Sequence, residues 1–198
     1  PADSPLALGV PETSAKRAFV TLEMQTDEGV DGIGLTFIPA LNASPLLPAL
    51  NSAVDALAQM VVGQDPMPVE AIASNLMEAA SGSGPGGIFS LALSAVDMAL
   101  WDIKGKALNQ SVCSLLGGYR NRLPTYASGG LMRTQNLESL AETGPHLVEM
   151  GFKQMKTQMG AESTAEAEVA RIRVLREAIG PDIDLMCDIN QLWNVNQA

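Results

Sequence analysis

Downstream of Pro124 the chain alternates strand and helix with short connections, and this alternation limits the possible folds more than any other feature. Residues 125–130, 154–159 and 183–189 read as strands, and residues 137–150 and 164–179 read as helices. Strands separated by single helices run parallel and are joined by right-handed crossovers. Gly180-Pro181 closes the second helix, because glycine accepts the left-handed turn and proline cannot continue the helix. The predicted architecture of residues 124–198 is therefore the N-terminal part of a parallel (β/α) barrel. Barrels of this kind keep their chemistry at the C-terminal ends of the strands. Two of those ends carry polar residues: Lys156 and Gln158 on one strand, Asp188 and Asn190 on the next.

The upstream half has a different grammar. Residues 17–25 and 30–37 read as a hairpin around Asp27-Glu28-Gly29. Residues 39–48 read as a loop. Helices are predicted over 50–62, over 68–80 with Pro68 near its first turn, and over 88–108. The last is apolar on nearly every face and is expected to be buried. Residues 1–123 thus form an α+β unit, with the domain boundary near residue 123. Its opening segment is polar and proline-rich, and both chain ends read as lying within a longer protein. A complete barrel takes about 250 residues, more than the 198 present.

Composition narrows the partners. A net charge of −10, without lysine or arginine clusters, argues against nucleic acid and against an anionic membrane surface. It does not exclude a small anionic substrate, since a local metal ion and lysine outweigh a distant surplus of negative charge. Cys113 and Cys187 lie in apolar surroundings without CxxC spacing, which predicts reduced thiols and a cytoplasmic location. The most apolar run, residues 88–101, is too short to span a membrane and contains Asp97.

Several motifs compete for a functional role. Residues 82–87 match GxGxxG, but they follow a predicted helix rather than a strand, and they read as a flexible linker rather than a dinucleotide cradle. His146, the only histidine, falls near the end of a helix, where a surface or helix-dipole role is expected. Asp182 and Asp184 belong to the start of a strand, at the opposite end from Asp188, and are expected to be solvated. Lys156 and Gln158 share one strand face and Met155 and Thr157 the other, so packing of Met155 against the outer helices turns Lys156 and Gln158 inward. Lys153 then falls on the outer face. An inward lysine is costly unless paired or functional. Asp188 with Asn190 suits a Mg²⁺ ligand beside a hydrogen-bonding amide. A Lys156–Asp188 ion pair without any metal is the other reading.

The runs Ser94-Ala-Val-Asp97-Met-Ala-Leu-Trp101-Asp102-Ile-Lys104-Gly105-Lys106 and Leu115-Leu-Gly-Gly118 resemble the last capping-domain helix of the enolase superfamily, within it the mandelate racemase/muconate lactonizing enzyme group. Tyr126-Ala-Ser-Gly-Gly130 resembles that group's first barrel strand, Gly151-Phe152 through Lys156-Thr-Gln158 its second, and Asp188-Ile-Asn190-Gln191 its third. The resemblance implies an α+β cap, lacking its first strand here, over a modified (β/α) barrel. It also implies Mg²⁺-dependent removal of the proton α to a carboxylate through an enediolate. By position, Asp188 is then the first metal ligand, Lys156 the catalytic lysine that tunes the site, and Asn190 a substrate contact. The resemblance further implies that residues 1–12 would be the mobile cap segment that covers the substrate. The expected partner is a small carboxylate, a sugar acid, and the expected assembly a homo-oligomer.

One departure directs the choice of reaction. The group's second strand carries lysine at two inward positions, and the second of these acts as a base; here that position is Gln158, which accepts no proton at neutral pH. Two-base racemisation loses one base, so dehydration of an acid sugar is preferred, with Gln158 orienting substrate. Racemisation or epimerisation of a 2-hydroxy acid is the alternative. A non-catalytic relative serving in assembly is a third reading.

Overall fold

The structure, a computed structural model, describes residues 18–38, 44–83 and 86–198. The expected cap segment at residues 1–12 lies outside these, as do part of the 39–48 loop and two residues of the 82–87 glycine run. The chain divides between Asn121 and Arg122 into two compact units.

In the first unit, β1 (Val20–Gln25) and β2 (Asp31–Thr36) pair antiparallel, with Val20 opposite Thr36 and Gln25 opposite Asp31. Gly29 supplies the left-handed residue of the turn at φ 77°. The Thr26 hydroxyl closes the turn by donating to the Val30 carbonyl and accepting from the Val30 N–H. Helix α1 (Leu47–Val61) buries the stripe Leu50, Val54, Leu57 and Val61, and α2 (Val69–Ala79) buries Val69, Ile72 and Leu76. Both follow the 3.6-residue period.

Helix α3 (Gly87–Ala107) is the centre of this unit. It buries Ala92, Ala95, Val96, Ala99, Leu100 and Ile103, while Met98 stays exposed, so the helix is not covered on every face. Its small-residue face meets the small face of β2. A Cβ added at Gly34 would lie 1.8 Å from the Ala95 carbonyl oxygen, and one added at Gly32 would lie 2.3 Å from that of Ala99. Asp102 accepts from the Ile33 N–H at 2.9 Å and from Lys106 Nζ at 2.7 Å, and Lys106 also donates to the Asp31 carbonyl. The short α4 (Val112–Leu115) follows, capped by the Ser111 side chain.

The second unit has the expected alternation. Helix α5 (Leu137–Glu149), β3 (Gln154–Gln158), α6 (Ala165–Ile179) and β4 (Asp184–Asp188) come in that order. β3 and β4 pair parallel, with Lys156 opposite Met186 and Gln158 opposite Asp188. Asn136 and Thr164 cap the two helices through their side chains. The strand expected over 125–130 is reduced to a single parallel bridge between Ala127 and Met155. Gly129 breaks the extended run by adopting φ 97°, although the Gln158 N–H still reaches the Leu131 carbonyl. Ala127, Leu131, Leu140, Leu147, Met155, Leu175, Ile179 and Ile183 form one buried cluster between strands and helices. Gly144 lets α5 and α6 approach, since a Cβ there would lie 2.7 Å from Ile179.

Both cysteines are free and exposed, which corrects the expectation of apolar surroundings. Cys113 sits on α4, which buries none of its residues, and Cys187 on β4, which among the described residues pairs with β3 alone. Among the described residues no helix is long and apolar enough to cross a membrane.

Candidate functional site

Burial of Met155 and Thr157 decides which way β3 faces. Met155 is fully buried and Thr157 nearly so, while Lys156 and Gln158 between them are only partly covered. Strand alternation therefore turns Lys156 and Gln158 away from the helices, as expected. Lys153 is exposed, and its carbonyl accepts from the Asp184 N–H.

The parallel register places the Lys156 ammonium beside the last residue of β4. Lys156 Nζ lies 2.9 Å from Asp188 Oδ2, with 24% and 28% of the two side chains accessible. On its other flank Nζ is 5.9 Å from the Tyr126 ring centroid. The Asp188 hydrogen bond, opposed by desolvation, holds the Lys156 pKa above its ordinary value. The direction of this shift favours the protonated ammonium. The Lys156 hydrogen bond first, and then the Asn190 N–H, keep the Asp188 carboxyl below its usual range.

Asn190 does not extend the strand. β4 ends at Asp188, and Asn190 and Gln191 take left-handed φ values of 44° and 64°. The resulting turn folds the Asn190 N–H back onto Asp188 Oδ1 at 2.9 Å. Its side chain reaches the strand ends through this turn rather than by strand alternation, which corrects the shared-face expectation. Asparagine tolerates that backbone region well.

Arg133, which the sequence motifs did not single out, completes the group. From the loop ahead of α5 it donates Nε–H to Gln158 Oε1 at 3.3 Å, and it also donates to the Asn190 side-chain oxygen and the Ile189 carbonyl. Its only sequence signal was a cation placed just after an expected barrel strand. Lys156, Gln158, Asp188 and Asn190 are therefore brought together. His146 lies apart on the last turn of α5, partly exposed and 3.8 Å from Glu149. Asp182 and Asp184 are exposed at the other end of β4.

Each carboxylate oxygen has two acceptor positions. At Asp188 one position on Oδ2 is used by Lys156 and one on Oδ1 by the Asn190 N–H. The ionised carboxylate keeps capacity for a hard cation, so Asp188 fits as one ligand of Mg²⁺. Among the described residues no group of three or more His, Cys, Asp or Glu side chains converges to complete such a site.

Residues 2–117 match the N-terminal domain of mandelate racemase/muconate lactonizing enzyme, and residues 137–198 match the enolase C-terminal domain-like family. The chain belongs to the mandelate racemase/muconate lactonizing enzyme family of the enolase superfamily. It is similar to D-galactarolactone cycloisomerase of Agrobacterium fabrum, at 36% identity over 92% of this chain and 47% of that one. It is similar also to arabinonate dehydratase of Saccharolobus solfataricus, at 29% identity over 91% and 47%. Among solved structures, L-talarate dehydratase of Polaromonas sp. JS666, complexed with Mg and L-glucarate, superposes with a TM-score of 0.78. That match has 27% identity and covers 89% of this chain and 48% of that one. Other relatives are epimerases and racemases. The chain spans about half the length of the curated relatives it matches.

Proposed function

We propose that the chain belongs to a Mg²⁺-dependent enzyme that removes the proton α to a substrate carboxylate and dehydrates an acid sugar. The observation that carries this reading is the acceptor capacity that Asp188 keeps beside Lys156 at adjacent strand ends, with Gln158 at the neighbouring position of the same β3 face. In this reading residues 1–123 are the capping domain and residues 124–198 begin the barrel.

Asp188 would hold the ion through the acceptor capacity that Lys156 and Asn190 leave. When bound, Mg²⁺ supplies positive charge beside the substrate carboxylate and so acidifies the neighbouring C–H. Lys156, kept protonated by Asp188, donates hydrogen bonds to the carboxylate as negative charge grows there. Gln158 has no basic atom at neutral pH, so the proton leaves to a base elsewhere in the protein, on one face of the substrate carbon. The C–H electron pair becomes the C2–C3 double bond, the β-hydroxyl departs with a proton as water, and the enol relaxes to a 2-keto acid. No oxidant or reductant is consumed.

The names of the relatives support elimination in particular. In a 3,6-anhydro sugar acid, named for one relative's cycloisomerase, the ring oxygen sits on the carbon β to the carboxylate. The same α-deprotonation would expel it. Epimerase and racemase relatives keep a second reading, inversion at the α-carbon.

The test uses the full-length protein with Mg²⁺ and a panel of acid sugars, following 2-keto acid formation and α-proton exchange in D₂O. Single-face exchange with keto acid release is expected. Gln158→Lys should add exchange on the second face. Exchange on both faces by the wild type would refute the one-base assignment and favour the epimerase.

A further inference from the structure

Arg133 ties the loop ahead of α5 to the ends of β3 and β4. It donates to Gln158 Oε1, to the Ile189 carbonyl and to the Asn190 side-chain oxygen, yet no carboxylate lies within ion-pair distance of it among the described residues. Arginine has donors only. Its contacts occupy both amide oxygens and leave the two NH₂ groups, neither of which has a protein acceptor among the described residues. The strand ends therefore present the Gln158 and Asn190 NH₂ groups and the remaining guanidinium N–H donors, near the Lys156 ammonium. Asp188 offsets one of the two cations here by pairing with Lys156, and the guanidinium and amide donors that remain are complementary to a carboxylate.

The loop carrying Arg133 is held from behind on both sides. Arg171 on α6, itself buried, donates to the Met132 carbonyl at 3.2 Å and to the Gln135 carbonyl at 2.7 Å. The Met132 N–H donates to Gln135 Oε1 at 2.6 Å. The guanidinium is thus positioned before any ligand arrives, which lowers the entropic cost of binding.

We infer that Arg133 is a substrate-binding residue whose guanidinium takes a substrate carboxylate, supplying at the barrel mouth the positive charge that Gln158 lacks. Gln158 then serves mainly to aim Arg133. The inference rests on the proposed carboxylate substrate and deepens it.

Calorimetry on the full-length protein with Mg²⁺ tests it, using galactarate, with two carboxylates, and galactonate, with one; both are named among the relatives' substrates. Arg133→Met should weaken binding by about 10- to 100-fold, the loss expected for a charge-assisted contact. Arg133→Lys should recover part of it, because a point charge replaces the planar fork. Gln158→Glu keeps the shape but pairs Arg133 internally, and should weaken binding as well, which keeps the inference testable if Arg133→Met fails to fold. Loss confined to galactarate assigns Arg133 to the distal carboxylate, and loss with both acids assigns it to the carboxylate next to the reacting carbon. Unchanged affinity for both acids in Arg133→Met, or in Gln158→Glu if the former does not fold, overturns the inference while leaving the dehydratase reading intact. Binding that depends on Arg133, without keto acid from any sugar, overturns the dehydratase reading alone. If the wild type binds neither acid, both fall.

Discussion

Lys156 and Asp188 hold each other ionised across neighbouring strands, so their stabilising effect has a definite pH window. Asp188 titrates below its ordinary value of 3.8, and its contribution is present above that value and lost as pH falls through the depressed folded one. Lys156 titrates above 10.5, and its contribution is present below that value and lost as pH rises through the raised one. The wild-type protein should therefore exceed Asp188→Asn in urea stability by a margin that is flat between about pH 5 and pH 9 and shrinks in acid. A margin that changes steeply near neutrality would show that another group governs the site. For activity, Lys156→Met should lower kcat/KM by about 10²- to 10³-fold, the usual loss when an oriented charge at a developing anion is removed. A loss seen only in KM would reduce Lys156 to ground-state binding.

The elements repeat this logic of close contact. Along β2, alternation permits either Ile33 and Leu35 or Gly32 and Gly34 to face the helices, and the structure turns the glycines inward and leaves Ile33 and Leu35 exposed. The reason is distance: α3 lies so near the strand that its carbonyls occupy the volume a Cβ would need. Gly34→Ala should accordingly destabilise the protein by about 1–3 kcal/mol or more, as overpacking does. A thermal melt unchanged from wild type would mean that α3 moves away freely. In the second unit, Leu175 is fully enclosed between α5 and the strands. Leu175→Ala should cost about 2–5 kcal/mol, readable in denaturant midpoints. The helices were legible because their apolar stripes keep the 3.6-residue period and their ends carry Asn136, Thr164 and Gly180. The expected strand at 125–130 was not, because Gly129 admits a backbone angle that no hydrophobic pattern records.

At the scale of the whole molecule, the metal is the sharpest test. If Asp188 is one of several ligands, Mg²⁺ in hundredfold excess over its dissociation constant should stabilise the full-length protein by about 2.7 kcal/mol. Chelation should reverse the gain, and Asp188→Asn should abolish most of it. An unchanged melting temperature at millimolar Mg²⁺ would favour the non-catalytic relative. The order of strands and helices and the shared face of Lys156 and Gln158, opposite Met155 and Thr157, could be read from local spacing. β3 has only two faces, and buried Met155 and Thr157 reveal which one the helices cover. Arg133 could not be read in that way, nor could the turn that brings Asn190 back to Asp188. Arg133 is separated by 25 positions from Gln158 and by 57 from Asn190. Such contacts are selected by the packing of a loop against α6, through Arg171 on the far side. The charge at 133 was visible from the start, but where it points depends on the folded loop.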